Sequence, residues 1–345
     1  MLAPGIFETV LVAPDSFKGT MTALEVTEAI ARGLERAGVP VDRCPVADGG
    51  EGTLAALAPA LRCDPRELIA RDPHGRPVTA TYGVGQAGAV AVIETAAASG
   101  LGLVAQGERD AVAASSFGTG ELIAAAAREG VRVIYLGVGG SATTDGGAGA
   151  IEAIEAAGGL GGAKLVVLCD VRTRFVDAAR VFAPQKGASP SQVRSLIRRL
   201  ERLAQRLPRD PREVPMTGAA GGLSGGLWAA FGAELVPGAA FVLDAVRFDE
   251  RMRRARAVIT GEGKLDEQSL AGKLVSEIAT RARQAGVPCH AIVGRRELDA
   301  FGARVLDLGT IVQAGTPGEL EAAAGELAAV VSLTAAQRRP DGSRP

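Results

Sequence analysis

The sequence predicts an α/β fold with a mostly parallel sheet, organised as two domains. Short apolar runs alternate with helix-like segments along the chain, which is typical of α/β layers. The chain has 345 residues, and about 150 residues is a common domain size. Its 46 glycines fall in short clusters after the apolar runs. Such clusters are expected at tight turns or where the backbone approaches a ligand closely.

The elements follow in order from apolar runs and helical spacing. A first strand is expected at residues 9–13, followed by a helix over 23–37 that Thr22 and Glu25 open as a capping box. A basic amphipathic helix is expected over 192–207; its arginines are interpreted as a solvated face, and attraction of an anion remains open. Other strands are predicted at 41–46, 89–93, 132–136, 165–168, 257–260 and 287–293, and other helices at 118–128 and after 147.

Two stretches are candidate domain boundaries. Pro73, Gly75 and Pro77 mark one break, and the charged stretch 246–256 marks the other. They predict a discontinuous α/β domain at 1–76 plus 256–336, with an α/β domain inserted at 77–255. Residues 337–345 are expected to form a disordered tail.

Composition excludes several classes of protein. The net charge is -1 and aromatic residues make up 3%, so neither a basic field nor base-stacking platforms for nucleic acid are expected. The four cysteines form no close pair and only two histidines are present, which argues against a disulfide framework or a zinc site and fits a cytoplasmic protein. No membrane span or signal peptide is predicted.

Polar clusters follow the predicted strands, at the sheet edge where α/β proteins bind ligands. The first cluster contains Asp15, Ser16 and Lys18 just before a helix, where anions are favoured; an ordinary capping loop is the alternative. The second, residues 48–53, places Asp48 and Glu51 among three glycines. Its carboxylates could bind Mg²⁺ or accept a proton, and a solvated turn is the alternative.

A third cluster, residues 137–147, resembles a dinucleotide-binding turn because Gly137, Gly139 and Ala142 satisfy G-x-G-x-x-A. The acidic residue of that motif is expected about 20 residues further on, whereas Asp170 lies 33 beyond Gly137. The hydroxyl-rich stretch around Ser141 suits a phosphate cradle of backbone amides at least as well.

Other nucleotide and hydrolase motifs are absent or weak. Neither G-K pair has the earlier glycine of a Walker A motif, and no protein-kinase motif occurs. The single G-x-S-x-G match, at 222–226, is interpreted as a chance match because no clear strand precedes it. The later polar segments contain Lys186, Gly221 with Gly222, and Glu262 with Asp266.

Taken together, these segments resemble the bacterial glycerate kinase type-1 family, in order and through nearly the whole chain. The matching stretches are APDSFK at 13–18, PVADGGEGT at 45–53, Glu94 with AAASGL at 96–101, GTGEL at 118–122, GGSAT at 139–143, DGGAG at 145–149, CDV at 169–171, PQKGA at 184–188, GAAGGL at 218–223, GEG at 261–263, Asp266, Gln268 and GK at 272–273. Each stretch alone is weak, but their joint order is specific.

The resemblance implies ATP-dependent phosphorylation of D-glycerate with Mg²⁺, and 2-phosphoglycerate is favoured over 3-phosphoglycerate. It also implies two α/β domains, one Rossmann- or flavodoxin-like and the other inserted in it, with a ligand cleft between them. The chain departs from the family pattern in one region. Residues 158–165 are shorter than usual, residues 172–180 replace an Asn-Pro-Leu stretch, and Ala183 stands where a glycine is usual.

Phosphoryl transfer requires alignment, charge neutralisation and an acceptor for the hydroxyl proton. We expect Asp48 to accept that proton, Lys18 and Lys186 to neutralise charge, and Glu262 and Asp266 to hold Mg²⁺. Glu51 and Asp145 are further metal candidates. The residues expected to bind substrate are Asp15, Ser16, Gly49, Gly50, Glu51, Glu94 and Ser99, and those expected to bind nucleotide are Gly139, Gly140, Ser141, Asp145, Gly146, Gly147, Gly221 and Gly222.

The sequence leaves three alternative functions open. They are a kinase for another small hydroxy acid, a non-catalytic paralogue that binds glycerate or nucleotide, and, least favoured, an NAD-dependent oxidoreductase. The expected partners are D-glycerate and ATP, with no nucleic acid and no membrane, in a monomer or homodimer.

Overall fold

The structure, a computed structural model, describes residues 9–271 and 273–337 and consists of α-helices and β-strands in two sheets. The predicted tail at 337–345 lies, apart from Gln337, outside the described residues. The strands are β1 Val10–Pro14, β2 Val41–Arg43, β3 Asp64–Arg71, β4 Pro77–Gly85, β5 Val90–Glu94, β6 Val133–Gly137, β7 Lys164–Cys169, β8 Glu234–Pro237, β9 Ala257–Leu265, β10 Cys289–Arg296 and β11 Ile311–Gln313.

The helices complete the α/β alternation that the sequence predicts. They are α1 Ala23–Arg36, α2 Thr53–Leu61, α3 Ala96–Ser99, α4 Phe117–Arg128, α5 Ala148–Ala156, α6 Ala178–Phe182, α7 Pro190–Ala204, α8 Leu223–Phe231, α9 Gly238–Ala245, α10 Phe248–Arg254, α11 Leu274–Gln284, α12 Ala300–Val305 and α13 Pro317–Gln337. None of the helices within the described residues is both long and apolar enough to cross a membrane.

The chain divides into two compact units. The first unit takes Met1–Ala47 and Leu243–Pro345, and the second takes Asp48–Val242. The predicted boundaries at 76/77 and 255/256 differ from this division. The Pro73–Gly75 stretch is the turn of a hairpin rather than a linker, because β3 pairs with β4 from Asp64–Val84 to Arg71–Pro77. Residues 48–76 therefore belong to the second unit.

The first unit contains a five-stranded parallel sheet in the order β11-β10-β9-β1-β2. Numbered within the unit, this is the 2-1-3-4-5 order of a flavodoxin-like sheet, whose order reverses between β1 and β9. All five residues of β1 are buried. Helix α1 buries Val26, Ile30 and Leu34 in the same core cluster as α13 residues such as Leu320.

The capping box predicted for α1 is confirmed. The Thr22 hydroxyl accepts from the Glu25 amide at 3.2 Å, and the Glu25 carboxylate accepts from the Thr22 amide at 2.8 Å. These two bonds satisfy amides that the first turn of a helix leaves without partners. The helix therefore starts at Ala23, as the sequence predicts.

The second unit contains a six-stranded sheet in the order β3-β4-β5-β6-β7-β8. The pairs β3–β4 and β4–β5 are antiparallel, whereas β5–β6, β6–β7 and β7–β8 are parallel. Its core includes Ile93 of β5, Leu136 of β6 and Val167 of β7. The parallel strands bring residues 94–96, 138–147 and 170–174 to the carboxyl edge of one sheet.

Candidate active site

In the first unit, two predicted loops meet where the strand order reverses. The Asp15 amide donates to the Gly261 carbonyl at 2.8 Å, so the loop after β1 is fixed to the end of β9. The Ser16 amide donates to Asp15 Oδ1 at 2.7 Å. A Cβ at Gly263 would lie 3.2 Å from the Phe17 Cα, which shows how closely the two loops pack. The structure therefore places Asp15, Ser16 and Lys18 beside the segment that contains Glu262.

Glu262 is the most strongly perturbed acid of this loop pair. Burial raises the pKa of its carboxyl group to about 7, while the Ser269 hydroxyl and the ammonium groups of Lys273 and Lys18 oppose the shift. The Ser269 hydroxyl donates to Glu262 Oε1 at 2.6 Å. The Asp266 carboxylate pairs with the Lys264 ammonium at 3.2 Å. Ser269, which the sequence analysis missed, holds Glu262 from seven residues away.

The Glu262–Asp266 pair was expected to hold Mg²⁺. Throughout the described part of the chain, no group of three or more histidine, cysteine, aspartate or glutamate side chains is placed to hold a metal ion. Mg²⁺ usually keeps several waters and takes one or two carboxylates together with substrate phosphates. A pair of carboxylates at the end of a strand fits this mode of binding, and it does not fit a metal enclosed by protein ligands alone.

In the second unit, the glycine-rich loop after β6 packs directly against the loop after residue 47. A Cβ at Gly139 would lie 2.5 Å from the Gly50 Cα, and one at Gly137 would lie 2.8 Å from the Gly49 carbonyl oxygen. Real Cβ atoms do not approach other atoms this closely, so these positions accept only glycine without movement of the backbone. The glycines at Gly49, Gly50 and Gly139 thus allow two backbones to touch.

The other side of this loop is bonded to the segment that contains Ser99. The Leu101 amide donates to the Gly140 carbonyl at 2.8 Å, and the Ala142 amide donates to the Ser99 carbonyl at 2.9 Å. The Ser99 hydroxyl itself is buried and accepts from the Thr119 hydroxyl at 2.8 Å. Ser99 therefore supports the loop, and its hydroxyl faces α4.

A buried lysine lies beneath the loop. Lys186 is 2% exposed, and its ammonium group donates to Ser141 Oγ at 3.0 Å and to the Thr143 carbonyl. Burial lowers the pKa of Lys186 to about 7, and the Asp145 carboxylate opposes the shift. Ser141 and Lys186, 45 residues apart in sequence, are thus brought together as a hydroxyl and a cation below the same backbone.

Asp145 is enclosed by hydrogen bonds. Its Oδ2 accepts from the Ser116 amide at 2.9 Å, the Ser116 hydroxyl at 2.8 Å and the Gly149 amide at 3.2 Å, and its Oδ1 accepts from the Gly147 amide at 3.1 Å. The carboxylate therefore ties α5 to α4. No local pattern at Ser116 could have revealed this role, because its partner lies 29 residues away.

The amides of Gly146 and Gly147, expected to hold phosphate, are engaged within the protein. The Gly146 amide donates to the Gly221 carbonyl at 3.1 Å, and the Gly147 amide donates to Asp145. Gly221 and Gly222 adopt positive φ values of 65° and 91°, and a Cβ at Gly221 would lie 2.1 Å from the Thr143 carbonyl oxygen. The four glycines therefore pack two backbone segments together. Gly139–Ser141 is the part of the predicted phosphate cradle that lies outside this contact with Gly221.

The carboxylates of the loop after β2 and the one at the end of β5 have different surroundings. Asp48 is buried, and its Oδ1 accepts from the Gly50 amide at 2.9 Å, whereas Glu51 is exposed. Glu94 accepts from the Leu54 amide at 2.7 Å. Burial raises the pKa of Glu94, although its bonds to the Leu54 and Gly52 amides oppose this shift. Glu94 thus stabilises the start of α2.

The segment that departs from the family pattern is built into the second unit. Phe175 is fully buried, and its amide donates to the Thr217 hydroxyl at 3.0 Å. A Cβ at Gly222 would lie 2.8 Å from the Phe175 ring, so this ring packs against the Gly221–Gly222 turn. Phe175 belongs to a hydrophobic cluster whose other buried members include Ala178, Ala179, Ala183, Leu196 and Leu200.

The sequence-predicted residues thus form two groups, one in each unit. Asp15, Ser16, Lys18, Glu262 and Asp266 lie at the end of β1 and β9 in the first unit. The remaining predicted residues lie in the second unit, around the loops at 48–51 and 139–147. Within each group the structure brings together residues that are far apart in sequence.

Comparisons with known proteins identify the family. The model of the glycerate kinase family matches residues 10–159 and 155–337, and the break falls beside the shortened stretch at 158–165. A protein named glycerate kinase from Halalkalibacterium halodurans is 40% identical over 83% of this chain and 85% of its own length. A protein named glycerate 2-kinase from Escherichia coli K12 is 36% identical over 88% of this chain and 92% of its own.

A solved structure agrees with these sequence matches. The crystal structure described as "putative glycerate kinase 2" from Salmonella typhimurium LT2 superposes with a TM-score of 0.78. It is 32% identical and covers 96% of this chain and 100% of its own. Family match, relatives and fold agree over nearly all of the described residues, and the protein belongs to the glycerate kinase family.

Proposed function

We propose that this protein transfers the γ-phosphoryl group of ATP to a hydroxyl group of D-glycerate, with Mg²⁺, and that it forms 2-phosphoglycerate. The observation that carries the proposal is the loop at 139–141, held from below by the buried Lys186 at the carboxyl end of β6. Because this loop belongs to a chain of the glycerate kinase family, we take D-glycerate as the substrate. The E. coli relative, named glycerate 2-kinase, supports the position of transfer.

The chain supplies the groups that phosphoryl transfer needs. A cation beneath a glycine-rich loop can neutralise charge that develops on the transferred group. Asp48 lies on the segment that touches Gly139, since its neighbour Gly50 packs against that glycine. We assign Asp48 as the acceptor of the hydroxyl proton, because general bases of this kind act within hydrogen-bond reach of the reacting hydroxyl.

In the first unit, Glu262 and Asp266 would hold the metal, which would neutralise charge on the nucleotide phosphates. Lys18 and Lys273 are the cations whose charge acts on Glu262. The Ser269 hydroxyl fixes one Glu262 oxygen at 2.6 Å. If the metal binds here, the other oxygen of that carboxylate would be the one available to it. Because a proton and Mg²⁺ compete for a carboxylate, Mg²⁺ should bind this group more tightly as the pH rises through about 7, the pKa of Glu262.

Phosphorus NMR of the purified protein with ATP, Mg²⁺ and D-glycerate tests the proposal directly. We expect a growing 2-phosphoglycerate signal with matching release of ADP. A 3-phosphoglycerate signal would retain the kinase and change the position of transfer. ADP formed only with another hydroxy acid would identify a different acceptor. ATP binding without turnover with any acceptor would contradict the proposal and favour a non-catalytic binding protein.

A further inference from the structure

The Ser269 side chain connects the two residues whose carboxylates we expect to hold Mg²⁺. Ser269 lies in the short 3₁₀-helix Glu267–Ala271, which follows β9, and it is 1% exposed. Its hydroxyl donates to Glu262 Oε1 at 2.6 Å and accepts from the Asp266 amide at 3.2 Å. Its own amide donates to the Asp266 carbonyl at 2.9 Å. One buried serine therefore contacts both residues of the expected metal site.

These contacts fix the direction of the hydroxyl proton. A serine hydroxyl has a single proton to donate. Because the Ser269 oxygen accepts from the Asp266 amide, the proton is directed to Glu262. The Ser269 side chain is buried, so solvent does not compete for this bond. Oε1 of Glu262 is therefore engaged by a donor from within the protein.

The two carboxylates are also restrained by their own neighbours. Glu262 lies within β9 and is paired with Val293 of β10, which fixes its backbone. The Asp266 carboxylate pairs with the Lys264 ammonium at 3.2 Å, and the same ammonium pairs with Glu297 at 2.8 Å. A cation that enters this site therefore meets carboxylates whose positions are set by the protein.

We propose that Ser269 is a positioning residue that leaves Glu262 one oxygen for a divalent cation, and that it thereby favours Mg²⁺ over Ca²⁺. Ca²⁺ takes more oxygen ligands than Mg²⁺ and accepts both oxygens of one carboxylate, whereas Mg²⁺ requires octahedral geometry and keeps several waters. Groups that hydrogen-bond to a metal ligand orient it and tune its affinity for the metal. The place of this cation in the reaction rests on the proposed function.

Competition between divalent cations tests this assignment without an activity assay. Binding of Mn²⁺ to the protein is followed by electron paramagnetic resonance, and Mg²⁺ or Ca²⁺ then displaces it. The titrations contain ADP, because the ammonium groups of Lys18 and Lys273 act on Glu262 and Mg²⁺ sites with few carboxylates are completed by substrate phosphates. The measured quantity is the ratio of the Ca²⁺ to the Mg²⁺ dissociation constant.

For Ser269→Ala we expect this ratio to fall about tenfold, the lower end of the effect of losing a group that supports a metal ligand. Ser269→Thr keeps the hydroxyl and should retain most of the preference for Mg²⁺. The matched control is Ser332→Ala, which removes an exposed serine of α13 whose hydroxyl donates to the Ala328 carbonyl of the same helix. This control should keep the parental ratio.

A parental ratio in Ser269→Ala would overturn the proposal. An equal loss of affinity for Mg²⁺ and Ca²⁺ would overturn it as well, because general loosening of the site weakens both cations alike. Mn²⁺ binding that is the same in the parent and in Glu262→Gln would show that the cation does not use this carboxylate.

Infrared difference spectra of the parent protein keep the test independent of the folding of Ser269 variants. The separation of the carboxylate stretching bands distinguishes binding through one oxygen from binding through two. With Mg²⁺ and ADP, the bands that disappear in Glu262→Gln should report binding through one oxygen, and binding through two would overturn the proposal.

The result is separable from the test of the proposed function. A protein that phosphorylates D-glycerate and has a metal preference independent of Ser269 would keep the proposed function and overturn this inference. A protein that forms no phosphoglycerate but shows the Ser269-dependent preference would do the reverse.

Discussion

The two units begin their site helices in different ways. In the first unit, α1 follows the Asp15 loop and is capped by its own neighbours, Thr22 and Glu25, in a capping box. In the second unit, α2, α5 and α8 start at glycines in the left-handed conformation, and none has a side-chain cap at that position. Carboxylates outside the cap position satisfy early amides of these helices. Glu94, 40 residues away in sequence, accepts from Leu54 of α2, whereas Asp145, just before the Gly147 cap, accepts from Gly149 of α5.

This difference gives Glu94 and Asp145, which were expected to bind ligands, a structural role at the start of a helix. A glycine N-cap allows a sharp turn and a close approach of another backbone. It also removes the side chain that would normally accept from the first turn of the helix. A carboxylate from another position then takes over, as Glu94 does at α2 and Asp145 at α5. Because both carboxylates are used at helix starts, we leave them out of the proposed reaction.

The largest expected effect is on the catalytic rate, and it distinguishes Asp48 in the second unit from Glu262 in the first. Asp48→Asn should lower kcat about 10² to 10⁴-fold, because it removes the proposed proton acceptor while the amide oxygen can still accept from Gly50. Glu262→Gln in the first unit should instead raise the Mg²⁺ concentration needed for half-maximal rate. Steady-state assays at varied Mg²⁺ measure both. An Asp48→Asn enzyme with the parent kcat would show that the base lies elsewhere.

The next prediction compares two glycines. Gly139→Ala should destabilise the protein by about 3 kcal/mol, because overpacking against a fixed backbone is costly and the added Cβ would lie 2.5 Å from Gly50. Gly19→Ala in the first unit should cost about 1 kcal/mol, the strain of a left-handed backbone, since nothing lies within 4 Å of its Cβ. Urea unfolding followed by circular dichroism measures both. Equal losses would contradict the close packing of Gly139.

These comparisons show how much of the molecule local sequence can predict. The alternation of strands and helices was predicted from apolar runs, and α1 was predicted to within one residue because its cap and its apolar spacing are local. The family and the α/β fold are confirmed by the comparisons and the sheets. The hairpin of β3 and β4 was missed because the proline-rich turn at 73–77 was interpreted as a domain boundary.

The parts of the site that were not predictable depend on contacts between distant segments. Gly221 is needed because its Cα lies against Thr143, and Ser269 matters because it holds Glu262. Neither contact can be inferred from the spacing of residues along the chain. The assignments of individual residues to substrate, nucleotide and metal stay predictions.

The third prediction concerns the buried Lys186. Its pKa is about 7 in the folded protein and about 10.4 when unfolded, so between these values the unfolded chain holds the extra proton. The free energy of unfolding should therefore rise with pH from about 7 upward, by at most about 1.4 kcal/mol per pH unit from this group. Lys186→Met should remove that part of the slope.

Urea midpoints at several pH values between 7 and 9 measure the slope. Lys164→Met is the matched control, because Lys164 is an exposed lysine that pairs with Glu234 and its raised pKa lies above this range. Its variant should keep the slope of the parent. If Lys186→Met keeps the slope as well, the ammonium remains charged in the folded protein throughout this range and would be a permanent cation beneath Ser141.

The smallest effects test the two modes of capping themselves. Thr22→Ala removes a local, exposed cap and should cost about 1 kcal/mol of stability. Glu94→Ala leaves the part-buried Leu54 amide at the start of α2 without its carboxylate acceptor, which should cost about 2 kcal/mol. Both variants should keep the parent's KM for D-glycerate, because both side chains act on the starts of helices. A Glu94→Ala protein of parental stability with a raised KM would reverse that conclusion, since a carboxylate that is free to bind a ligand contributes little to the helix beside it.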